Sequence, residues 1–243
     1  MVYSIENNLI KMKCNKNFKA IHFAKRMEKP TNIIPLDRLL DPIDEGKSFE
    51  IYGTWRAVLS IAHKTIASLS KYGRVGVIYI QDFGYLDPYL IHKHADMIGG
   101  NFDDIYISRA FRRDEIADLI NSVKHIGIKS LVIIDPYLFS PQSYLNYSIL
   151  TPITGSLKEL LSYGITVSIF NRETSLGRYL PEGGKFHHHE LHAIIKINPY
   201  RNGFQAVLIK HYAKRTPIAS FISIKELGDE RLWVGQHLLQ EWF

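Results

Sequence analysis

Apolar positions recur along this chain at two spacings, and the spacings alternate. Ser48 to Tyr52 has the length and residue types of a short strand, and Gly53 follows it. From Ala57 onward the apolar residues Val58, Ile61, Ala62, Ile66 and Leu69 fall on one face of a helix, which Gly73 stops. Val75 to Ile80 is an unbroken apolar run of strand length, of the kind buried on both faces. The pattern then repeats: helix over Tyr89 to Ile98, strand over Ile105 to Ser108, helix over Arg112 to Ile126, strand over Leu131 to Ile134, helix within Leu150 to Tyr163, strand over Ile165 to Phe170. Ser140 to Tyr147, polar and aromatic, reads as a surface loop. Beyond this the helices drop out. Leu191 to Ile197, Phe204 to His211 and Ile218 to Ile224 read as strands, the first two joined by the turn cluster Asn198 to Gly203. Strands alternating with helices, then a meander, predict an α/β fold: a mostly parallel twisted sheet flanked by helices, with antiparallel strands at its C-terminal side.

Composition narrows the class. The chain has 243 residues, 46% of them hydrophobic, enough for one large domain with a substantial core. Residues 1–28 read as a basic arm or linker and residues 29–243 as the core. A single cysteine, Cys14, excludes an intramolecular disulfide framework and suits a reducing compartment. No apolar run approaches the length of a membrane span, so the expected location is cytoplasmic. The net charge of +6 permits a polyanionic partner without requiring one.

Strand, glycine and helix are also the frame of a phosphate-binding loop, G-x-x-x-x-G-K-[ST]. Laid from Gly53, that template matches its first glycine and its final hydroxyl, Ser60. Val58 stands in place of the second glycine and Leu59 in place of the lysine. A β-branched residue resists the backbone conformations that wrap a phosphate, and leucine brings no charge to the outer phosphates.

Several stretches together resemble the ATPase core of the RecA superfamily, and within it the archaeal RadA recombinases and their paralogues. These are Leu36 to Leu40, Glu50 to Gly53, Val77 to Ile80 followed by Pro88 and a helix, the string Ile105 to Phe111, Leu131 to Asp135, Ile169 to Asn171, and Gly183-Gly184 with His189 shortly after. The likeness runs from about Lys29 to Ile224 and implies a RecA-like core. It also marks what is missing. Arg56 replaces a further family glycine, and the catalytic glutamate and the acidic residue before it fall at Phe83 and Gln81. Only the Walker B carboxylate survives, as Asp135. Joint loss of glycine, lysine and glutamate implies a non-catalytic paralogue with no cofactor. The polymerisation motif Phe-x-x-Ala is one residue short at Phe18 to Ala20.

The resemblance also assigns a DNA-contacting loop to Asn171 to His187. Its candidates are Arg172, Arg178, Tyr179 and Lys185, with His187 and His189 at its end; cations beside an aromatic suit phosphate contact and base stacking. The competing reading is a solvated surface loop. Asp135 is either a metal-holding remnant or a sheet-end carboxylate kept by ancestry. Trp55 either faces a partner or fills the vacant phosphate pocket. The histidines invite a zinc site, since an extended strand would put His188, Glu190 and His192 on one face, but no H-E-x-x-H spacing or companion cysteine supports it, and no metal is expected. The partners implied are single- or double-stranded DNA, a RadA-like recombinase or another RecA-like paralogue, in a homo- or hetero-oligomer and away from membranes. The expected role is that of an accessory protein or regulator in homologous recombination and DNA repair. The alternative is an inert subunit paired with an active RecA-like ATPase, without DNA contact.

Overall fold

A computed structural model of the chain describes residues 5–6, 9–10, 25–80, 86–139, 150–173 and 181–228. The candidates Arg178 and Tyr179, the positions Gln81 and Phe83, the segment Phe18 to Ala20 and the residues Ser140 to Tyr147 lie outside the described residues.

A small antiparallel pair, β1 (Ile5–Glu6) and β2 (Leu9–Ile10), precedes the main body. The body is a single eight-stranded sheet. Its strands are β3 (Ser48–Gly53), β4 (Val75–Ile80), β5 (Ile105–Ala110), β6 (Ser130–Ile134), β7 (Thr166–Arg172), β8 (Ala193–Tyr200), β9 (Gly203–His211) and β10 (Ile218–Ser223). Across the sheet they run β10-β9-β8-β3-β7-β6-β4-β5. Every pair from β8 to β5 is parallel, and β8, β9 and β10 continue the sheet antiparallel. The predicted architecture is therefore the observed one.

The helices that link the parallel strands cover both faces, as right-handed crossovers require. Helices α1 (Ile34–Leu40), α2 (Trp55–Leu69), α3 (Pro88–Ile98) and the one-turn α7 (Ile224–Leu227) pack on one face, against Phe49, Ile51, Val77, Val132 and Phe170. Helices α4 (Arg113–Ser122) and α5 (Thr151–Ser162) pack on the other, against Ile78, Ile133, Val167 and Ile169. Alternation along each strand thus sorts one core into two layers. The helix starts are set locally. Asp87 accepts from the backbone N–H groups of Tyr89 and Leu90 at the head of α3, and Glu115 accepts from those of Phe111 and Arg112 at the head of α4. Among the described residues no helix is long and apolar enough to cross a membrane.

Three local expectations are corrected. The segment read as leading straight into a strand contains a short helix, α6 (Gly184–Glu190), entered through Gly183 at φ 113°. The turn cluster after β8 is shorter than expected: β8 runs on to Tyr200, opposite Gly203, which leaves Arg201 and Asn202 as a two-residue hairpin turn. Helix α4 ends at Ser122 and continues as a single 3-10 turn, η2 (Val123–His125).

Candidate functional site

The carboxyl ends of β3, β6 and β7 meet at one edge of the sheet, where open α/β sheets bind their ligands. The first feature there is how β3 joins α2. Gly53 ends the strand, Thr54 caps the helix, and Trp55 is already its first residue. No five-residue loop intervenes. The Val58 N–H donates to the Thr54 carbonyl (3.0 Å), and the Ser60 hydroxyl donates to the Arg56 carbonyl (3.1 Å). Val58 is fully buried, and Leu59 packs against the same core layer. The backbone donors that would cradle a phosphate at positions 58–60 are therefore in a regular helix, where i→i−4 bonds consume them. The helix starts two residues earlier than the periodicity predicts, because the template assumed a loop where none forms.

Gly53 has another reason to be glycine. It sits at φ 123°, and a Cβ there would lie 2.2 Å from the carbonyl oxygen of Ile197 on β8. Thr54 donates its N–H to the same oxygen at 3.0 Å. The glycine serves the β3–β8 pairing.

Asp135 follows β6 with φ 58° and is buried. The Arg172 Nε–H, from the end of β7, donates to Asp135 Oδ2 at 2.5 Å. The guanidinium also lies over the Trp55 ring, 4.4 Å from its centroid. Trp55, Arg172 and Asp135 thus close on one another over the carboxyl edge. Burial raises the Asp135 carboxyl and Arg172 pulls it part of the way back, which leaves it at about 6. Arg172 is accordingly the internal counter-ion of Asp135, a role that the sequence does not reveal. The next residue, Glu173, pairs with Lys196 of β8 at 2.7 Å.

The opposite face of the same strands carries a buried polar chain. Glu50, in mid-β3, is fully buried. Its Oε1 accepts from Asn171 Nδ2 (2.8 Å) and contacts His187 Nε2 (3.3 Å). His187 Nδ1 in turn meets the Tyr137 hydroxyl at 2.8 Å. With the imidazole proton on Nε2, facing Glu50, Nδ1 is left to accept from Tyr137. Asn171 spends its other hydrogen on the Glu182 carbonyl (2.8 Å), so Asn171 is the end of a strand and the clamp on the segment before α6.

These positions revise the histidine assignments. His187 lies in a helix, is buried and is turned inward to Glu50, so its side chain is not presented to DNA. His189 is exposed. His188 and Glu190 belong to α6 while His192 lies beyond it, bonded to the Ser48 hydroxyl at 2.9 Å, so they do not share a strand face. Among the described residues no group of three His, Cys, Asp or Glu is placed to share a metal ion. Arg172 faces Asp135 and Trp55, and Lys185 lies in the first turn of α6.

No protein-family model matches the sequence, and no curated protein matches it. Among solved structures, the crystal structure of the RadB recombinase superposes with a TM-score of 0.65, over 80% of this chain and 94% of that one. The fold is RecA-like. At 17% identity the likeness is one of fold. Within that RecA-like fold, Trp55, Asp135 and Arg172 of this chain contact one another at the carboxyl edge.

The Asp135–Arg172 pair has a testable pH signature. The carboxyl binds its proton more tightly folded, at about 6, than its ordinary value of 3.8, so its contribution to stability falls as pH rises through about 6. Arg172→Ala removes the downward pull and moves the folded carboxyl higher still. At pH 8 the variant holds an unpaired buried carboxylate; at pH 5 that group is protonated and needs no partner. Because Arg172 is 41% exposed, the deficit at pH 8 is modest, about 1–2 kcal/mol after screening. Urea unfolding at the two pH values should show a deficit at pH 8 that shrinks at pH 5. A deficit independent of pH would mean that the pairing with Asp135 is not its source.

Proposed function

We propose that this chain is a non-hydrolysing RecA-like protein that serves recombination and DNA repair as an accessory or regulator, through contacts with DNA, with a recombinase, or with both. One observation supports this above the others. The strand–helix junction at Gly53–Thr54 has no loop, and the backbone donors behind it are held in a helix. A RecA-like chain without that loop keeps the surface of the fold while giving up the grip on a nucleotide. Its mechanism is presentation of surface: it binds, positions or excludes, and turnover is not part of it.

The test is fluorescence anisotropy with labelled single-stranded DNA, at low and moderate salt, with and without ATP and Mg²⁺. Binding that weakens with salt and ignores nucleotide is the expected result. Melting in the same buffers should show no shift on adding Mg-ATP, since only a ligand that binds the native state raises the midpoint. Binding that appears only with ATP would overturn the proposal.

A second reading draws on the far edge of the sheet. A groove of about 200 Å³ lies between β5 and the α4–η2 segment, lined by Val77, Ile78, Ile107, Leu119 and Val123 beside the exposed Tyr106. An apolar groove on an open edge strand suits a protein subunit, and so favours a hetero-oligomer with an active RecA-like ATPase. Absence of DNA binding even at low salt moves the weight to this reading.

A further inference from the structure

The charge of this chain is distributed unevenly. It holds 30 Lys and Arg against 24 Asp and Glu. Residues 193–225 contain Lys196, Arg201, Lys210, Lys214, Arg215 and Lys225 and no acid at all. That stretch alone carries +6; the rest of the chain holds 24 of each sign, with residues 1–28 also net basic. The fold turns residues 193–223 into the antiparallel extension β8–β9–β10 with its connections, and places Lys225 in α7.

One face of the extension packs inward: Phe204, Ala206, Leu208 and Ile222 join the core layer beneath α1 and α7. On the other face the register places Asn198 beside Gln205 and Gln205 beside Phe221, with Tyr200 beside Gly203 at the hairpin tip. Tyr200 and Phe221 are 41% and 42% exposed, and Asn198, Gln205 and Val207 are half-buried. The two rings meet edge to face with centroids 6.3 Å apart. The Arg201 guanidinium lies over the Tyr200 ring at 5.2 Å. Two adjacent exposed aromatics, a flanking guanidinium and two side-chain amides, on three strands that contain no acid, form a surface that suits unpaired bases and their phosphates.

We infer that the open face of β8–β9–β10 is a binding platform for single-stranded nucleic acid, with bases stacked on Tyr200 and Phe221 and phosphates held by Arg201. The inference rests on the DNA-binding reading above and moves its centre from the Asn171–His187 segment to the hairpin. Charge favours a polyanionic partner, because residues 193–225 hold six cations and no acid. The aromatics select its form, because a duplex keeps its base faces stacked and has none to offer.

The experiment is anisotropy of a labelled oligothymidine and of a labelled duplex, over a series of salt concentrations, with the wild-type chain and the variants Tyr200→Ala, Phe221→Ala and Arg201→Ala. Melting curves establish that each variant is folded. Loss of either ring should weaken single-strand binding roughly tenfold and leave duplex binding nearly unchanged. Arg201→Ala should weaken both probes and lower the salt slope by about one. Because Phe221 lies on an edge strand, Tyr200→Ala decides the matter if Phe221→Ala fails to fold. Wild-type binding that neither ring variant weakens would overturn the platform and leave the DNA-binding reading standing. No binding by the wild-type chain at low salt would overturn both.

Discussion

Glu50→Ala is expected to remove about 3–5 kcal/mol of stability, one of the two largest single-residue losses in this chain. Glu50 is fully buried at the centre of β3, and its Oε1 faces both Asn171 Nδ2 and His187 Nε2. Truncation strands those two donors away from water and leaves a cavity beside them. Glu50→Gln keeps the shape and an acceptor oxygen while removing the charge. Its cost should be much smaller, because a buried charge is itself expensive. The measurement is chemical unfolding of both variants. Equal losses would show that the carboxylate charge is essential to the chain; a negligible loss in Glu50→Ala would show that the cluster contributes nothing. Tyr137→Phe removes the outer link alone and should fall between, since one hydrogen bond is worth about 1 kcal/mol.

The geometry of this cluster bears on the functional edge. Asn171 and Arg172 are consecutive, so they point to opposite faces of β7. Asn171 holds Glu50 on one side and Arg172 holds Asp135 on the other. Asp135 and Tyr137 are two residues apart, and Tyr137 closes the chain through His187. The Trp55–Arg172–Asp135 contacts and the buried cluster are thus joined through β7 and the turn after β6. Weakening the cluster should loosen the Trp55–Arg172 stack as well, a change that Trp fluorescence would report.

Periodicity made the sheet legible. Unbroken apolar runs such as Val75–Ile80 and Leu131–Ile134 have the length of strands buried on both faces, and the spacing of Val58, Ile61 and Ile66 marks one side of a helix. The order of the strands across the sheet was not legible, because pairing joins segments far apart in sequence. Helix α6 was not legible: seven residues with three consecutive histidines show no period, and its start depends on a left-handed glycine. The inward turn of His187 did leave a trace in the sequence. Glu50 is a lone carboxylate inside an apolar strand, which demands a buried donor from somewhere in the chain. The Arg172–Asp135–Trp55 closure left no such trace, because it joins three elements far apart in sequence. The charge of the extension was countable from residues alone, but it acquired meaning only when the fold brought the Phe221 ring to Tyr200, over which Arg201 lies.

Gly53→Ala should be as damaging as the loss of Glu50, and for a reason unrelated to phosphate. A methyl group at Gly53 would sit 2.2 Å from the Ile197 carbonyl oxygen and 3.0 Å from its carbon and nitrogen. The obstacle is backbone, so no rotamer can move aside. The φ of 123° adds strain for any L residue with a side chain. Relief requires β3 and β8 to separate, which breaks the Thr54-to-Ile197 bond and disturbs the junction with the antiparallel extension. Strain and overpacking together come to about 3–5 kcal/mol. Ser60→Ala is the matched control from the other end of the same template, because its hydroxyl bonds only within α2. Unfolding midpoints should fall sharply for Gly53→Ala and barely for Ser60→Ala. If Gly53 served a phosphate instead, its replacement would leave stability intact and abolish a nucleotide-induced rise in melting temperature. Loss of stability with no nucleotide effect in either protein would assign the glycine to the sheet.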